Sequence, residues 1–227
     1  MSCINNIKLK LEEKLQKKIT QVYVSYSGQG VHSVHNEVFR SFEDEHKIVK
    51  EDIDSILNEN INQEYEGHRI LKAIPQEFNV GTQKLYDAVG VLSNNIEGRY
   101  LNIIAKSKLL NYIESCFQNV NGIRVAEYKL TPLVIADQLL NDAQKNSGCV
   151  LVDIGADTTT VSIYKSKLLR FLSVIPLGSD NITKDIMSLQ LEHSEAEELK
   201  TSKFGEPYAQ FTEEEGFSEK YILLRNA

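Results

Sequence analysis

The chain has 227 residues, 41% of them hydrophobic and 25% charged, the composition of a soluble globular protein with one sizeable core or two modest ones, which excludes a disordered tail. A net charge of −7 opposes binding to nucleic-acid backbones or anionic membrane surfaces, so no nucleic acid is expected as a partner. Cys3, Cys116 and Cys149 are too few and too widely spaced for a disulfide framework or a paired zinc site; with no apolar run of about 18 residues and no leader pattern at the N-terminus, the expected compartment is the cytoplasm.

Residues 4–19 place Ile4, Ile7, Leu11, Leu15 and Ile19 three or four apart, which predicts an amphipathic helix. "QVYVSYSG" (21–28) alternates with period two and stops at glycine, as a strand and turn do. "KEDIDSILNENI" predicts a short helix with Ile53, Ile56 and Leu57 inward, and "HRILKAIP" (68–75) a strand that Pro75 ends or places at an edge. A loop is expected over 81–98, then a strand at 99–105, a helix capped by Ser107, and a strand at 122–130. If these two strands share a sheet, a right-handed crossover makes them parallel. Pro132 opens a helix to about Ala143, and the polar "DAQKNSG" (142–148) reads as a turn and the best domain boundary. Strands follow at 149–154, 160–165 and 168–176, then helices at 179–190 and 194–203, the second with Ser194 and Glu197 spaced as a capping box. Beyond Glu206, "FTEEEGFSEK" reads as solvated and only "YILL" (221–224) as apolar.

The stretch richest in chemistry is "VLVDIGADTTT" (150–160). Its residues fit a plain hairpin, with Gly155, Ala156 and Asp157 in the turn and threonines in a strand. They also fit a phosphate cradle. A strand-end carboxylate can hold hydrated Mg²⁺, a glycine admits close approach, and hydroxyls and free N–H groups donate to phosphate oxygens. His32 and His35 lack further ligands at metal spacing and read as surface histidines. Cys149 reads as a small buried hydrophobe.

The neighbouring segments carry a resemblance. "VLVDIGADTTTVSIYKSK", "LLRFLSVIPLGSDNITKDI" and "SEAEELK", preceded by "VYVSYSGQGVHSVHNEV", "HRILKAIPQEFNV", "DAVGVLSNN" and "RVAEYKLTPLVIA", resemble in order and spacing the actin-like ATPases of the FtsA family of bacterial cell division, over about residues 20–205. The resemblance implies an α/β, actin-like (ribonuclease H-like) fragment carrying the FtsA-type inserted subdomain. Residues 1–20 and 129–147 would be remnants of the first actin-like subdomain, 21–128 the inserted interaction subdomain, and 148–227 the start of the second with its phosphate hairpin. It further implies ATP and Mg²⁺ as ligands of the parent protein, with Asp153 facing the metal through water. Gly155, Ala156, Asp157, Thr158 and Thr159 would form the phosphate loop, and Glu197 with Lys200 would reach ribose and base.

Where the family reads D-I-G-G-G-T-T-D, this chain carries Ala156, Asp157 and Thr160. The family's first phosphate loop, Gly-Gly adenine loop, fourth subdomain and C-terminal membrane helix find no counterpart, so the resemblance implies a chain truncated at both ends, at most a weak ATPase in its complete parent. The implied role is a cytoplasmic scaffold at the inner face of the membrane at the division site, linking FtsZ to that membrane, meeting other division proteins, and self-associating through the inserted subdomain. The alternative is a nucleotide-free interaction module. A metabolic kinase of the same superfamily would need a catalytic base and sugar pocket that the sequence does not offer.

Overall fold

A computed structural model describes residues 3–203 apart from 119 and 121; the expectations for the acidic segment and "YILL" lie outside them. Its elements form two compact units, one of residues 1–151 with 161–174, the other of 152–160 with 175 onward. No described helix is long and apolar enough to cross a membrane.

The first unit opens with α1 (Cys3–Leu15), shorter than its apolar pattern. The stripe is turned outward: Ile7, Leu11 and Leu15 are 43–57% exposed, while Lys8 and Glu12 pair at 3.7 Å on the better covered face. The Glu12 carboxylate also accepts the N–H of Ile19, so a polar contact sets the orientation of the helix. β1 (Gln21–Tyr26) pairs in parallel with β6 (Arg124–Leu130) as a separate two-stranded sheet. The strands flanking α3 (Ser107–Gln118) therefore lie in different sheets, and the condition for a parallel crossover between them is not met.

The main sheet has the order β4-β3-β5-β2-β9-β8-β7. Here β2 is His32–Lys47, β3 His68–Val80, β4 Gln83–Leu85, β5 Leu92–Lys106, β7 Cys149–Ile154, β8 Thr159–Lys165 and β9 Leu168–Ile175. The loop expected over 81–98 holds at 81–82 and 86–91, whereas 83–85 form β4 and 92–98 the first half of β5. Its polar letters misled because one strand face is wet and its charges satisfy one another across strands. Arg99 sits 2.7 Å from Glu97, 3.1 Å from Glu77 and 3.2 Å from Glu37. The opposite face buries Ile96 and Tyr100. Pro75 does not end β3. It lies where β4, paired only with Phe78–Val80, leaves that edge open, so its missing N–H breaks no ladder.

α2 (Lys50–Ile61) lies on the sheet with Ile56 fully buried and Ile53 and Leu57 packed on the same cluster, together with Val38, Phe78, Val80, Ile96 and Tyr100. Its start is held by Asp52, whose Oδ2 accepts the N–H of Val49 at 2.9 Å and lies 2.8 Å from His46 Nε2. Burial alone would raise this carboxyl, but the Val49 N–H, the His46 ring and Arg40 outweigh it and hold it below its ordinary value of 3.8. A carboxyl depressed by folding contributes stability that is present above its unfolded value and lost as pH falls through the folded one. Asp52→Asn should thus be less stable than the parent in urea titrations at neutral pH, the gap closing below about pH 4. A gap unchanged in acid would refute this role.

A second cluster gathers Val31, Leu101, Ile103, Leu110, Leu130, Ala136, Tyr164, Leu169, Leu172 and Val174. α4 (Thr131–Leu139) begins with Pro132 in its first turn. The expected turn at 142–148 is mostly helical: α5 (Asp142–Ser147) is capped by Asn141, which exchanges side-chain bonds with Gln144 at 2.9 Å each way. β7 (Cys149–Ile154), β8 (Thr159–Lys165) and β9 (Leu168–Ile175) follow as predicted. Ser166 and Lys167, both with positive φ, make the tight turn between β8 and β9.

Candidate functional site

In the second unit the end of β7 turns into β8, and the chain continues after β9 into α6 (Ser179–Met187) and α7 (His193–Lys203). The turn closes with the Gly155 N–H donating to the Thr158 carbonyl at 2.8 Å. Asp153, Gly155, Ala156 and Asp157 are exposed, and Thr158 and Thr159 are half-buried. Neither Ala156 nor Asp157 has positive φ, so the turn does not demand glycine there. The departures from the family's glycines are therefore accommodated by the backbone without strain.

The tip of the turn is fastened to α6. The N–H groups of Ser179 and Asp180 donate to the carbonyls of Gly155 and Ala156, each at 2.9 Å. Gly178 N–H donates to Asn181 Oδ1 at 3.0 Å, and the Thr159 hydroxyl donates to the Leu177 carbonyl at 2.7 Å. Gly178 permits this approach. A Cβ there would run into the Ala156 carbonyl group and come within 2.6 Å of the Gly155 oxygen. Sequence reading did not single out this glycine; the only trace was a lone Gly before a helix start.

These bonds commit the first amides of α6 and the Thr159 proton, leaving a defined set at the tip. The N–H groups of Ala156 and Asp157 find no backbone acceptor, and the Thr158 hydroxyl no partner, among the described residues. Two amides and a hydroxyl suit phosphate oxygens. The Asp153 and Asp157 carboxylates suit a hydrated divalent cation, and without one they would repel an anion. The donor set of this hairpin thus fits magnesium-bound phosphate.

Glu197 and Lys200 of α7 meet the same helix at Ser179 and Thr183. Lys200 Nζ lies 2.7 Å from Glu197 Oε2 and donates to Thr183 Oγ1 at 2.8 Å and to the Ser179 carbonyl at 3.5 Å. Buried Thr183 in turn donates to Glu197 at 2.8 Å. The bond from Lys200 and then that from Thr183 hold the Glu197 carboxyl below its usual range. All three ammonium protons are used, whereas Glu197 keeps its second oxygen on a side chain 42% exposed. The expected capping box at Ser194 is not formed. The box oxygen comes from Glu195, which accepts the Glu192 N–H at 3.0 Å, because Glu197 is drawn to Thr183 and Lys200.

Two family models match the chain in succession: the SHS2 domain inserted in FtsA over residues 28–104, and cell division protein FtsA over residues 150–221. The cell division protein FtsA of Porphyromonas gingivalis is 32% identical over 198 residues, covering 87% of this chain and 41% of that protein. The chain belongs to the FtsA family. FtsA of Bacillus subtilis is likewise 32% identical, over 150 residues covering 65% of this chain and 34% of its own length. The chain thus spans about two-fifths of the length of the FtsA proteins it matches. A solved chain of the PilM–PilN type IV pilus biogenesis complex superposes with a TM-score of 0.53 at 13% identity, covering 85% of this chain and 55% of that one. The fold is actin-like α/β, and the strand-rich segment 28–104 is the FtsA-type insertion.

Proposed function

We propose that this chain is part of an FtsA-type division scaffold, which assembles at the division site and links FtsZ to the cytoplasmic face of the membrane. The observation that carries this reading is the succession of the two family segments in one chain, the inserted SHS2 domain first and the FtsA segment of residues 150–221 second. Residues 1–20 and 129–147 then belong to the first actin-like subdomain, 21–128 to the inserted subdomain that self-associates and meets other division proteins, and 148 onward to the second. Mg-ATP in the complete protein would be held by Asp153 through water, by the backbone of Gly155, Ala156 and Asp157, and by the Thr158 hydroxyl. Thr159 would position this loop through Leu177. Glu197 would offer its open oxygen to a ribose hydroxyl, with Lys200 fixing its orientation. When bound, Mg-ATP would supply the charged phosphates that these donors hold.

A fluorescent fusion of the complete protein should concentrate at mid-cell in dividing cells and co-purify with FtsZ; a uniform distribution with no FtsZ recovered would reject the reading. In the same protein Asp153→Ala should lose Mg-ATP binding by calorimetry while changing stability by less than about 0.5 kcal/mol, since the side chain is exposed. Unchanged ATP affinity would remove Asp153 from the site.

A further inference from the structure

We propose that the free edge of β2 is a seam between two copies of this chain, paired antiparallel through residues 35–43 with Phe39 on the two-fold axis. The proposal rests on the assembly reading above and names its contact. On one side β2 pairs with β5 over residues 32–41 and 46–47; on the other it meets β9 only at His32 opposite Ser173. Past Ser33, whose hydroxyl accepts the Leu172 N–H, the outer row of backbone donors and acceptors has no strand partner among the described residues. Such an edge is a template for another strand unless it is blunted.

The blunting devices are confined to one end. The register with β5 breaks between Ser41 and His46, where Glu43, Asp44 and Glu45 stand exposed. Residues 34–41 continue without a bulge, and in their midst Phe39 is 64% exposed, with Glu37 and Ser41 on the same outward face.

Charge and ring pairing together select the register. In an antiparallel pair, residues of one face oppose residues of the same face. With Phe39 on the axis, ring meets ring, Glu37 meets Ser41 and His35 meets Glu43. One step towards the C-terminus would set Arg40 on Arg40 and Glu37 on Glu43. One step the other way would set each Phe39 against a Glu37 carboxylate, and the next would set Glu37 on Glu37. Directly opposed like charges disfavour the Arg40 and Glu37 registers, and ring facing ring rather than ring facing carboxylate favours the Phe39 register over the one centred on Val38. A seam of one strand per copy buries less than the roughly 1,200 Å² of a stable interface, so pairing is weak and fills only where copies are concentrated, as in an assembly.

The test uses the 227-residue chain with its three cysteines replaced by alanine and single cysteines then introduced. Opposed Cα atoms on the axis of an antiparallel pair are about 4.5–5.5 Å apart, within disulfide reach. Phe39→Cys should give most of the chain as a disulfide dimer on mild oxidation at high concentration. Glu37→Cys alone should give several-fold less, and Glu37→Cys with Ser41→Cys should restore the yield. Equal cross-linking at positions 37 and 39 would overturn the register. Self-association without any Phe39 cross-link would overturn the seam yet leave the assembly reading standing. A chain that sediments as a monomer at every concentration, and whose complete parent also fails to gather at mid-cell, would overturn both.

Discussion

Gly178→Ala is expected to destabilise the second unit by about 2–4 kcal/mol, because the added methyl meets backbone. Its Cβ would overlap the Ala156 carbonyl group and stand 2.6 Å from the Gly155 oxygen. Neither can swing aside as the end of a long side chain could. Relief requires the hairpin tip to leave α6, which breaks the bonds from Ser179 and Asp180 to the carbonyls of Gly155 and Ala156. Two helix-end amides on half-buried residues then lose their acceptors while the tip loses its anchor. Urea titration would read the loss, and hydrogen exchange should report it at Ser179 and Asp180 first. Gly155→Ala is the internal comparison: its Cβ would meet the Thr158 oxygen at 3.3 Å, a contact relieved by a small shift, and should cost about 1 kcal/mol or less. If the two variants are equally stable, the close approach at Gly178 is not what holds the hairpin. The expected functional consequence is a phosphate loop present but misplaced, so that Mg-ATP affinity of the complete protein falls with every hairpin side chain intact.

The second large effect is expected in the inserted subdomain, where α2 is joined to β5 by two fully buried asparagines. Asn60 Nδ2 donates to Asn102 Oδ1 at 2.8 Å and Asn102 Nδ2 returns a bond to Asn60 Oδ1 at 2.9 Å, both residues being 0% exposed. Asn36 adds a third bond to Asn60 Oδ1 at 2.8 Å, and the Tyr65 hydroxyl accepts from Asn102 at 3.3 Å. Neither amide can turn to water if its mate is removed. Asn102→Leu should therefore cost about 3 kcal/mol, chiefly the desolvated Asn60 Nδ2 left without its acceptor, while Asn36 still donates to Asn60 Oδ1. Adding Asn60→Leu removes that orphan and places apolar groups of similar volume face to face. The double variant should then be less destabilised than the sum of the singles by about 1–3 kcal/mol. Additive losses would mean that the two amides act independently, contrary to the reciprocal geometry.

Much of the fold was legible because hydrophobic period is a local signal. The alternation in "CVLVDI" and "TTVSIYK", and the helical spacing of Ile53, Ile56 and Leu57, each read correctly without knowledge of what they would touch. The strands at 32–47 and 92–98 were not legible. Their outward faces are rows of charge and amide, and a strand there becomes favourable once Arg99 pairs with Glu37 and Glu77 across strands and with Glu97 along its own, while Ile96 and Tyr100 are buried behind them. The same limit applied to α1, where the apolar stripe was read rightly and its direction was not. A bond from Ile19 to Glu12 turns the polar face inward among the described residues.

At the candidate site, residue type by itself determined that Asp153, Gly155 and Thr158 could meet phosphate and metal, and the order of segments determined the family. Tertiary structure decided how each group is spent. Thr159 gives its proton to Leu177, Lys200 uses all three of its own, and Glu197 abandons a cap for Thr183. It also decided that Gly178 must be glycine, because a carbonyl from a turn some twenty residues earlier occupies the space of a side chain. Local pattern records what a residue can offer; which partner takes the offer depends on distances between segments far apart in the chain, and those exist only once the chain has folded.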